Sequence, residues 1–404
     1  MQFMAIPRQS QELSPKEFWQ LVLGLFSNNK KHYNLIFEKK FAQYIGCKYA
    51  FSFYSLRQGL YWSLKALNCQ KNDEVILPAY EYFAIPATII QAGLKPVFVD
   101  INPLDYTINL AKIERNITSK TRAILVTHLN GLPAEMKKII IIAKKYKLRL
   151  IEDCAHACGA SYQDKKVGSY NIGCFSFGFG KPISVGGGGI ITTSDVLLAK
   201  KLKKIQDSFQ EPNFLQNFNL FLKIIAVKLM TIPKVFFFTG YPLLLLKKGR
   251  LYEEKISFSK NIPSSFRLKF SKMQAALACE QLNNLEKRGQ SRIKNAEIYN
   301  QYLKKLKSLY LLPTVKNRKN VYLHYPIKTN SGQLKKFIKK LLMKRVNLQS
   351  DYCLNCSSLK IFKKFQKNCP VAENLTGKII YLPNQPSLKE KEILFIIEKL
   401  KKLI

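Results

Sequence analysis

Three polar residues within one short stretch could act on a single ligand: Asp153, Ser176 and Lys181. The stretch is LRLIEDCAHACGASYQDKKVGSYNIGCFSFGFGKPISVGGGGIITT, residues 148–193. An apolar run holding Leu148, Leu150 and Ile151 leads into Asp153, and a second apolar run, 174–179, carries Ser176 and leads into Lys181. Four glycines, Gly186 to Gly189, then precede a β-rich run over 190–193. Short strands that end in an acid, a hydroxyl and a lysine gather those groups at one edge of a buried sheet, which in α/β folds is where ligands bind. A lysine amine forms a Schiff base with an aldehyde. A carboxylate keeps a pyridine nitrogen protonated, so that the ring can accept electrons. Those two needs together are the needs of pyridoxal phosphate (PLP).

Each piece has a plainer reading when taken alone. A strand-end aspartate is commonly a cap or turn residue, a lone lysine is commonly solvated, and GGGG lacks the G-x-G-x-x-G spacing of a dinucleotide loop. Together and in this order they resemble the fold-type I, PLP-dependent sugar aminotransferases of the DegT/DnrJ/EryC1/StrS family. EDCAHACGA stands where that family has D-A-A-Q/H-x-x-G-A, and FSFGFGK matches F-S-F-x-x-x-K, with the serine five residues before the lysine. The likeness runs from about Phe37 to the C-terminus. It implies that Lys181 is the Schiff-base lysine and that Asp153 pairs with the pyridine nitrogen. It further implies that His156 hydrogen-bonds the cofactor's phenolic oxygen and that Ser176 binds its phosphate. Relatives with histidine in place of the lysine deoxygenate their substrates, so Lys181 points to transamination.

Other positions follow the same resemblance, with departures. AFSFYSLRQGLYWSLKAL reads as strand, turn and helix where the family has S-G-T-x-A-L, a loop that holds the phosphate at a helix N-terminus. Ser55 matches, while Leu56 and Arg57 replace the Gly and Thr; Arg57 is either a charged phosphate donor or a surface arginine. DEVILPAYEYFAIPATIIQAG resembles D-E-V-I-x-P-x-x-T-F-x-A-T, which makes Tyr82 the aromatic that stacks on the ring, or else a core tyrosine. Glu81 stands where the Thr is expected. His128 matches a V-H-x-x-G pattern as a ligand contact or as packing. Arg267, Leu268 and Lys269 fill the places of a family Asn-Tyr-Arg, so Arg267 is a phosphate ligand of a neighbouring subunit or a surface residue.

The elements that must position these groups are legible as apolar strands alternating with helices. Near-continuous apolar strands, such as those in KPVFVDI and TRAILVTHLNG, imply a mostly parallel sheet covered on both faces. At 404 residues the chain is long enough for two domains. The expected division is an N-terminal arm over 1–35, in which Ser14-Pro15 opens a helix, a large PLP-binding α/β domain over 36–285, and a smaller C-terminal α+β domain over 286–404. Residues 209–262 interrupt the large domain as an apolar insertion. Lysines and prolines break 214–246 into pieces too short and too charged for a membrane span of about 20 residues. The stretch 214–248 is either a set of interfacial helices on a membrane, helped by Lys247, Lys248 and Arg250, or a packed element of the dimer.

Composition sets the outer bounds. The formal charge of +40 suits an anionic partner or, more plainly, a lysine-rich surface on most helices. Nucleic-acid binding by charge alone is a third functional class, but no aromatic-interleaved arginine stripe or zinc pattern supports it. Nine cysteines follow no framework spacing, and the CxxC of Cys353 and Cys356 lacks a second ligand pair; reduced thiols and no metal site are expected. No signal peptide is read in MQFMAIPRQSQELSPKEF. The resemblance implies a homodimeric, cytoplasmic transaminase that moves an amino group from a donor such as glutamate to a keto sugar. That sugar is nucleotide-linked in most of the family, and the setting is polysaccharide or amino-sugar biosynthesis. A peripheral position on the inner face of the membrane goes with the interfacial-helix reading. The competing reading is a non-catalytic PLP-family sensor or scaffold at the membrane surface, motivated by the altered phosphate loop and the insertion.

Overall fold

The computed structural model describes residues 5–27, 32–246, 259, 261–306, 308–329, 334–350 and 352–403. Seven strands form the main sheet: β1 Tyr49–Phe53, β2 Glu74–Pro78, β3 Lys95–Val99, β4 Thr121–Thr127, β5 Arg149–Asp153, β6 Ile172–Ser176 and β7 Gly189–Thr193. Their order is β1-β7-β6-β5-β4-β2-β3. The run from β6 to β3 is parallel throughout, and β7 is antiparallel to both neighbours. Parallel pairing requires long crossovers, supplied by helices such as Ala84–Gln91 and Met136–Lys145. Alternate side chains leave the sheet on opposite faces. Val75, Leu77, Leu125 and Ile151 join one apolar cluster, while Ile76, Ile124, Val126 and Leu150 join another. With both faces covered, the strands read as continuous apolar runs.

This topology puts the chemistry at one edge. Thr127 pairs with Asp153 at the C-terminal ends of β4 and β5, and β6 ends on Ser176. The apolar run at 174–179 is strand only as far as Ser176; beyond it the chain turns across the sheet edge to Lys181. Because β7 runs the other way, its first residue, Gly189, pairs with Ser176 at the same edge. Gly188 forms a parallel bridge with Ser55, which seats the start of helix Leu56–Ala66 there as well. A Cβ on Gly189 would lie 2.6 Å from the Leu56 backbone, so only glycine allows this approach.

A second, antiparallel sheet comprises β8 Leu309–Leu311, β9 Tyr325–Thr329, β10 Gln349–Ser350 and β11 Ile379–Leu382, in the order β8-β9-β11-β10. Helices Leu285–Leu303, Leu334–Met343 and Glu390–Lys401 pack with it in one core. Ile6 bridges Val346, which ties the N-terminal arm to this sheet. The segment from Cys353 to Leu375 crosses back: Cys353, Cys356 and Phe362 share a cluster with Leu77 and Phe98 of the large sheet. A short strand pair, Tyr80–Glu81 with Leu354–Asn355, fastens it beside the site.

Helix Pro15–Leu25 begins as the sequence predicts, with Ser14 and Glu17 in a reciprocal capping box. The insertion forms three helices, Phe214–Met230, Pro233–Phe238 and Gly240–Leu246. In Phe214–Met230 only Ile224 is buried. Among the described residues no helix is long and apolar enough to cross a membrane.

Candidate active site

One cavity of about 290 Å³ opens at the C-terminal edge of the large sheet. Eight of the nine residues that the sequence assigns to cofactor binding line it: Ser55, Leu56, Arg57, Tyr82, Asp153, His156, Ser176 and Lys181. Ser55 caps helix Leu56–Ala66, its hydroxyl accepting from the Gln58 N–H at 3.2 Å. The cavity therefore meets a helix N-terminus, whose partial positive charge favours an anion. Exposed Arg57, on the first turn, adds a full charge. Arg267 is the exception. It is exposed, ends a short 3₁₀ turn at Ser264–Arg267, and does not line the cavity of its own chain.

The titratable groups are buried and influence one another. Burial pushes the Lys181 amine down to about 8, a shift opposed chiefly by the neighbouring Asp153 carboxylate. The amine donates to the Tyr352 hydroxyl at 2.9 Å. Burial raises the Asp153 carboxyl, while the Ala155 N–H, at 2.9 Å, and the Lys181 charge hold it back. Burial and the nearby Lys181 keep the His156 imidazole well below its ordinary range, hence neutral. Its Nδ1 accepts from the Asn130 N–H at 3.4 Å, so Nε2 carries the proton and is a donor.

Some of the lining was not foreseen. Glu81 is buried in the wall, its carboxylate accepting from the Tyr82 N–H at 2.8 Å and from the Thr127 hydroxyl. Burial and the adjacent Asp153 charge push it up to about 8. Its presence was signalled in the sequence by a glutamate in place of a threonine, but not its burial. Tyr352 and Cys353 arrive from the segment that crosses back, for which the sequence held no signal. His128 settles as packing: it is fully buried, Nδ1 accepts from the Ala134 N–H at 3.0 Å, and Nε2 faces Glu152 at 3.2 Å.

The residues present fit PLP. The cavity is near the lower end of the roughly 300–1,000 Å³ usual for small-molecule sites. It offers an amine, a carboxylate, a neutral imidazole donor and a helix N-terminus around a space walled by tyrosines. Gly188, at φ +98°, would place a Cβ 2.2 Å from Phe270, so the loop at the helix N-terminus leaves no room for a side chain there.

Comparison with known proteins places the chain among relatives of one family. A model of the DegT/DnrJ/EryC1/StrS aminotransferase family matches residues 24–401. The chain is 31% identical over 379 residues to an uncharacterized protein of Methanocaldococcus jannaschii, covering 92% of this chain and 89% of that one. It is 30% identical over 367 residues to the dTDP-3-amino-3,6-dideoxy-alpha-D-galactopyranose transaminase of Aneurinibacillus thermoaerophilus, covering 90% and 87%. The fold superposes on PseC of Helicobacter pylori, an aminotransferase involved in the biosynthesis of pseudoaminic acid. That match has a TM-score of 0.79 at 22% identity and spans 99% of each chain.

Proposed function

The chain belongs to the DegT/DnrJ/EryC1/StrS aminotransferase family and is a PLP-dependent aminotransferase, and we propose that it transfers an amino group from a donor such as glutamate to a keto sugar carried on a nucleotide. The observation that carries this reading is the convergence of Lys181 and Asp153 on one cavity. The name of the dTDP-sugar transaminase it resembles along nearly its whole length supports the nucleotide-linked acceptor.

When bound, PLP supplies an aldehyde that takes up an amine and a protonated ring that accepts electrons. The roles of the chain's own residues follow from their chemistry. Lys181, with its amine lowered to about 8, exists in part as the free base near neutral pH. It holds the cofactor and afterwards moves a proton at the substrate carbon. Asp153 would keep the proton on the ring nitrogen, the His156 Nε2–H would donate to the phenolic oxygen, and Tyr82 would lie against the ring. Ser55, Ser176, Arg57 and the Leu56 backbone, all lining the cavity, would hold the phosphate. Arg267, exposed and not lining the cavity of its own chain, would serve the phosphate of a second subunit in a homodimer.

The setting we propose is cytoplasmic amino-sugar or polysaccharide biosynthesis. Nine free cysteines, most of them buried, suit a reducing compartment. One further observation favours contact with the inner face of a membrane: helix Phe214–Met230 buries a single residue while exposing phenylalanines and leucines. The deciding experiment for function is a transamination assay of the PLP-loaded protein with glutamate and a panel of nucleotide-linked keto sugars, read by mass spectrometry. Amino-sugar formation from at least one acceptor is expected; none, with donor turnover to the keto acid intact, would remove the sugar acceptor.

A further inference from the structure

Glu81 departs from the family pattern at a chemically consequential place: a carboxyl stands where that pattern has a threonine, in the wall of the cavity that Asp153 and Lys181 also line. The strand pair Tyr80–Glu81 with Leu354–Asn355 fixes its backbone, and the Cys356 thiol donates to its carbonyl at 3.2 Å. The side chain is buried, with Oε1 accepting from the Tyr82 N–H at 2.8 Å and Oε2 from the Thr127 hydroxyl. Thr127 pairs in register with Asp153 on the adjacent strand, which brings the two carboxyls together at the sheet edge.

Asp153 Oδ1 accepts from the Ala155 N–H at 2.9 Å. Among the described residues neither carboxyl has a salt-bridge partner; the Lys181 amine, whose charge acts on both, spends its hydrogen bond on Tyr352. The other titratable groups against Glu81 are the Cys353 and Cys356 thiols, which burial keeps protonated. His128, which also acts on Asp153, is turned to Glu152. Two buried carboxyls facing one amine would leave a negative charge unbalanced if both ionised, and like charges crowded into one site do not both ionise. The two groups therefore titrate as a unit.

We propose that Glu81 and Asp153 form a carboxyl pair that holds one proton in the cofactor-free protein and passes it to the ring nitrogen as PLP binds. The proposal rests on the PLP-dependent reading and adds a second carboxyl to the control of that proton. Charge balance sets the direction: one cation, Lys181, is matched by one carboxylate, and a protonated ring nitrogen beside it is matched by two. No bond between heavy atoms changes; the pair loses a proton and the ring nitrogen gains it. Glu81 acts through Asp153, as a positioning residue that keeps the ring protonated into more alkaline solution than Asp153 alone would. A threonine in its place would carry neither the proton nor the charge.

The test uses the full-length chain, with and without PLP, as wild type, Glu81→Gln, Glu81→Thr and Asp153→Asn. Infrared spectra of the cofactor-free protein near neutral pH should show the carbonyl stretch of one more protonated carboxyl in wild type than in Glu81→Gln, and loading wild type with PLP should remove it. Glu38, another buried carboxyl held above its ordinary range by burial, is common to both proteins and cancels in the difference. In Asp153→Asn the remaining Glu81 carboxyl should ionise at lower pH, because the like charge that raised it is gone. In the loaded enzyme, the alkaline fall in kcat should come at least about one pH unit earlier in Glu81→Gln and Glu81→Thr, or about tenfold at a fixed alkaline pH, with the glutamate KM within twofold. Identical unloaded spectra for wild type and Glu81→Gln overturn the proposal. So does a carboxyl band that survives PLP loading in wild type, a measurement that needs no variant to fold. A pH profile in the variants that is lowered uniformly without shifting also overturns it, since that is the mark of a merely structural residue. If no keto sugar is aminated, the acceptor reading fails, and the infrared spectra, taken without substrate, still decide the pair.

Discussion

Lys181 Nζ donates a 2.9 Å hydrogen bond to the Tyr352 hydroxyl, joining the amine to a residue 171 positions further along the chain. Tyr352 in turn stacks on Tyr82 with centroids 5.4 Å apart and planes 17° apart, and leans on His156 at 4.9 Å. The amine is thereby aimed by an aromatic wall drawn from three separate segments. A hydroxyl acceptor favours the ammonium form, so it works against the burial that lowers the lysine.

The first prediction concerns that balance. With the Lys181 amine lowered to about 8, the free-base fraction rises about tenfold per pH unit below that value and levels above it. The rate at which cofactor-free protein takes up PLP should follow this curve. The Asp153 charge supports the ammonium, so Asp153→Asn should move the midpoint to lower pH. A midpoint near the ordinary lysine value would show that the amine is not desolvated as described.

Covalent attachment gives the second. Borohydride reduction of the yellow holoenzyme should leave the cofactor's mass on the peptide containing Lys181, and Lys181→Ala should lose both the adduct and turnover. Finding the adduct on another lysine would displace Lys181 from its role.

Asp153 supplies the third. Asp153→Asn should fold and retain some PLP binding yet lose most activity, about a hundredfold or more, because an amide cannot keep the ring nitrogen protonated. Near-normal turnover in that variant would end the assignment.

How much of this could be read in advance depended on whether the signal was local. Asp153, Ser176 and Lys181 were legible because each stands at or just past the end of an apolar run, and the sheet order brings such ends together. The caps were local too: Ser14 with Glu17 marks a helix start by type and spacing alone. Tyr352 was not legible, since its position depends on how the C-terminal segment returns to the site. Glu81 was visible as an odd residue, but only the fold shows it buried between Thr127 and Asp153. His128 could not be resolved from the sequence because a histidine at a strand end serves packing and ligation equally; its two backbone-and-carboxylate contacts decide it.

The glycine loop yields a stability prediction. Gly188→Ala must hold a side chain at φ +98° and push against the Phe270 ring, where the new Cβ would stand 2.2 Å from a ring carbon. Left-handed strain and overpacking together should cost about 2–4 kcal/mol. Because Gly188 bridges Ser55, PLP affinity should fall along with the urea midpoint. A midpoint shift with unaltered PLP affinity would mean that the loop is not part of the phosphate site.

The last prediction concerns the exposed apolar face. Helix Phe214–Met230 carries only two charged residues, Lys223 and Lys228, and its Phe214 and Leu215 are 59% and 65% exposed. The face continues onto helix Pro15–Leu25, where Trp19 is 59% exposed, and onto Phe26 just beyond it, 67% exposed. Ring contacts at 6.4 Å, Phe18 with Phe221 and Phe26 with Phe214, join the two surfaces. Lys247, Lys248 and Arg250 lie outside the described residues; Lys223, Lys228 and Lys234 lie in the helices that carry the patch, on a chain of net charge +40. Apolar rings entering the acyl boundary with lysines reaching the headgroups is the pattern of an interfacial helix. The full chain should float with vesicles rich in anionic phospholipid at low salt, and salt should weaken that binding. A double variant, Phe214→Glu with Leu215→Glu, alters only exposed residues and should remain soluble at low salt while transamination persists. If wild-type protein stays with the soluble fraction and the variant instead dissociates a dimer, the face is covered by a second copy of the chain, not by lipid.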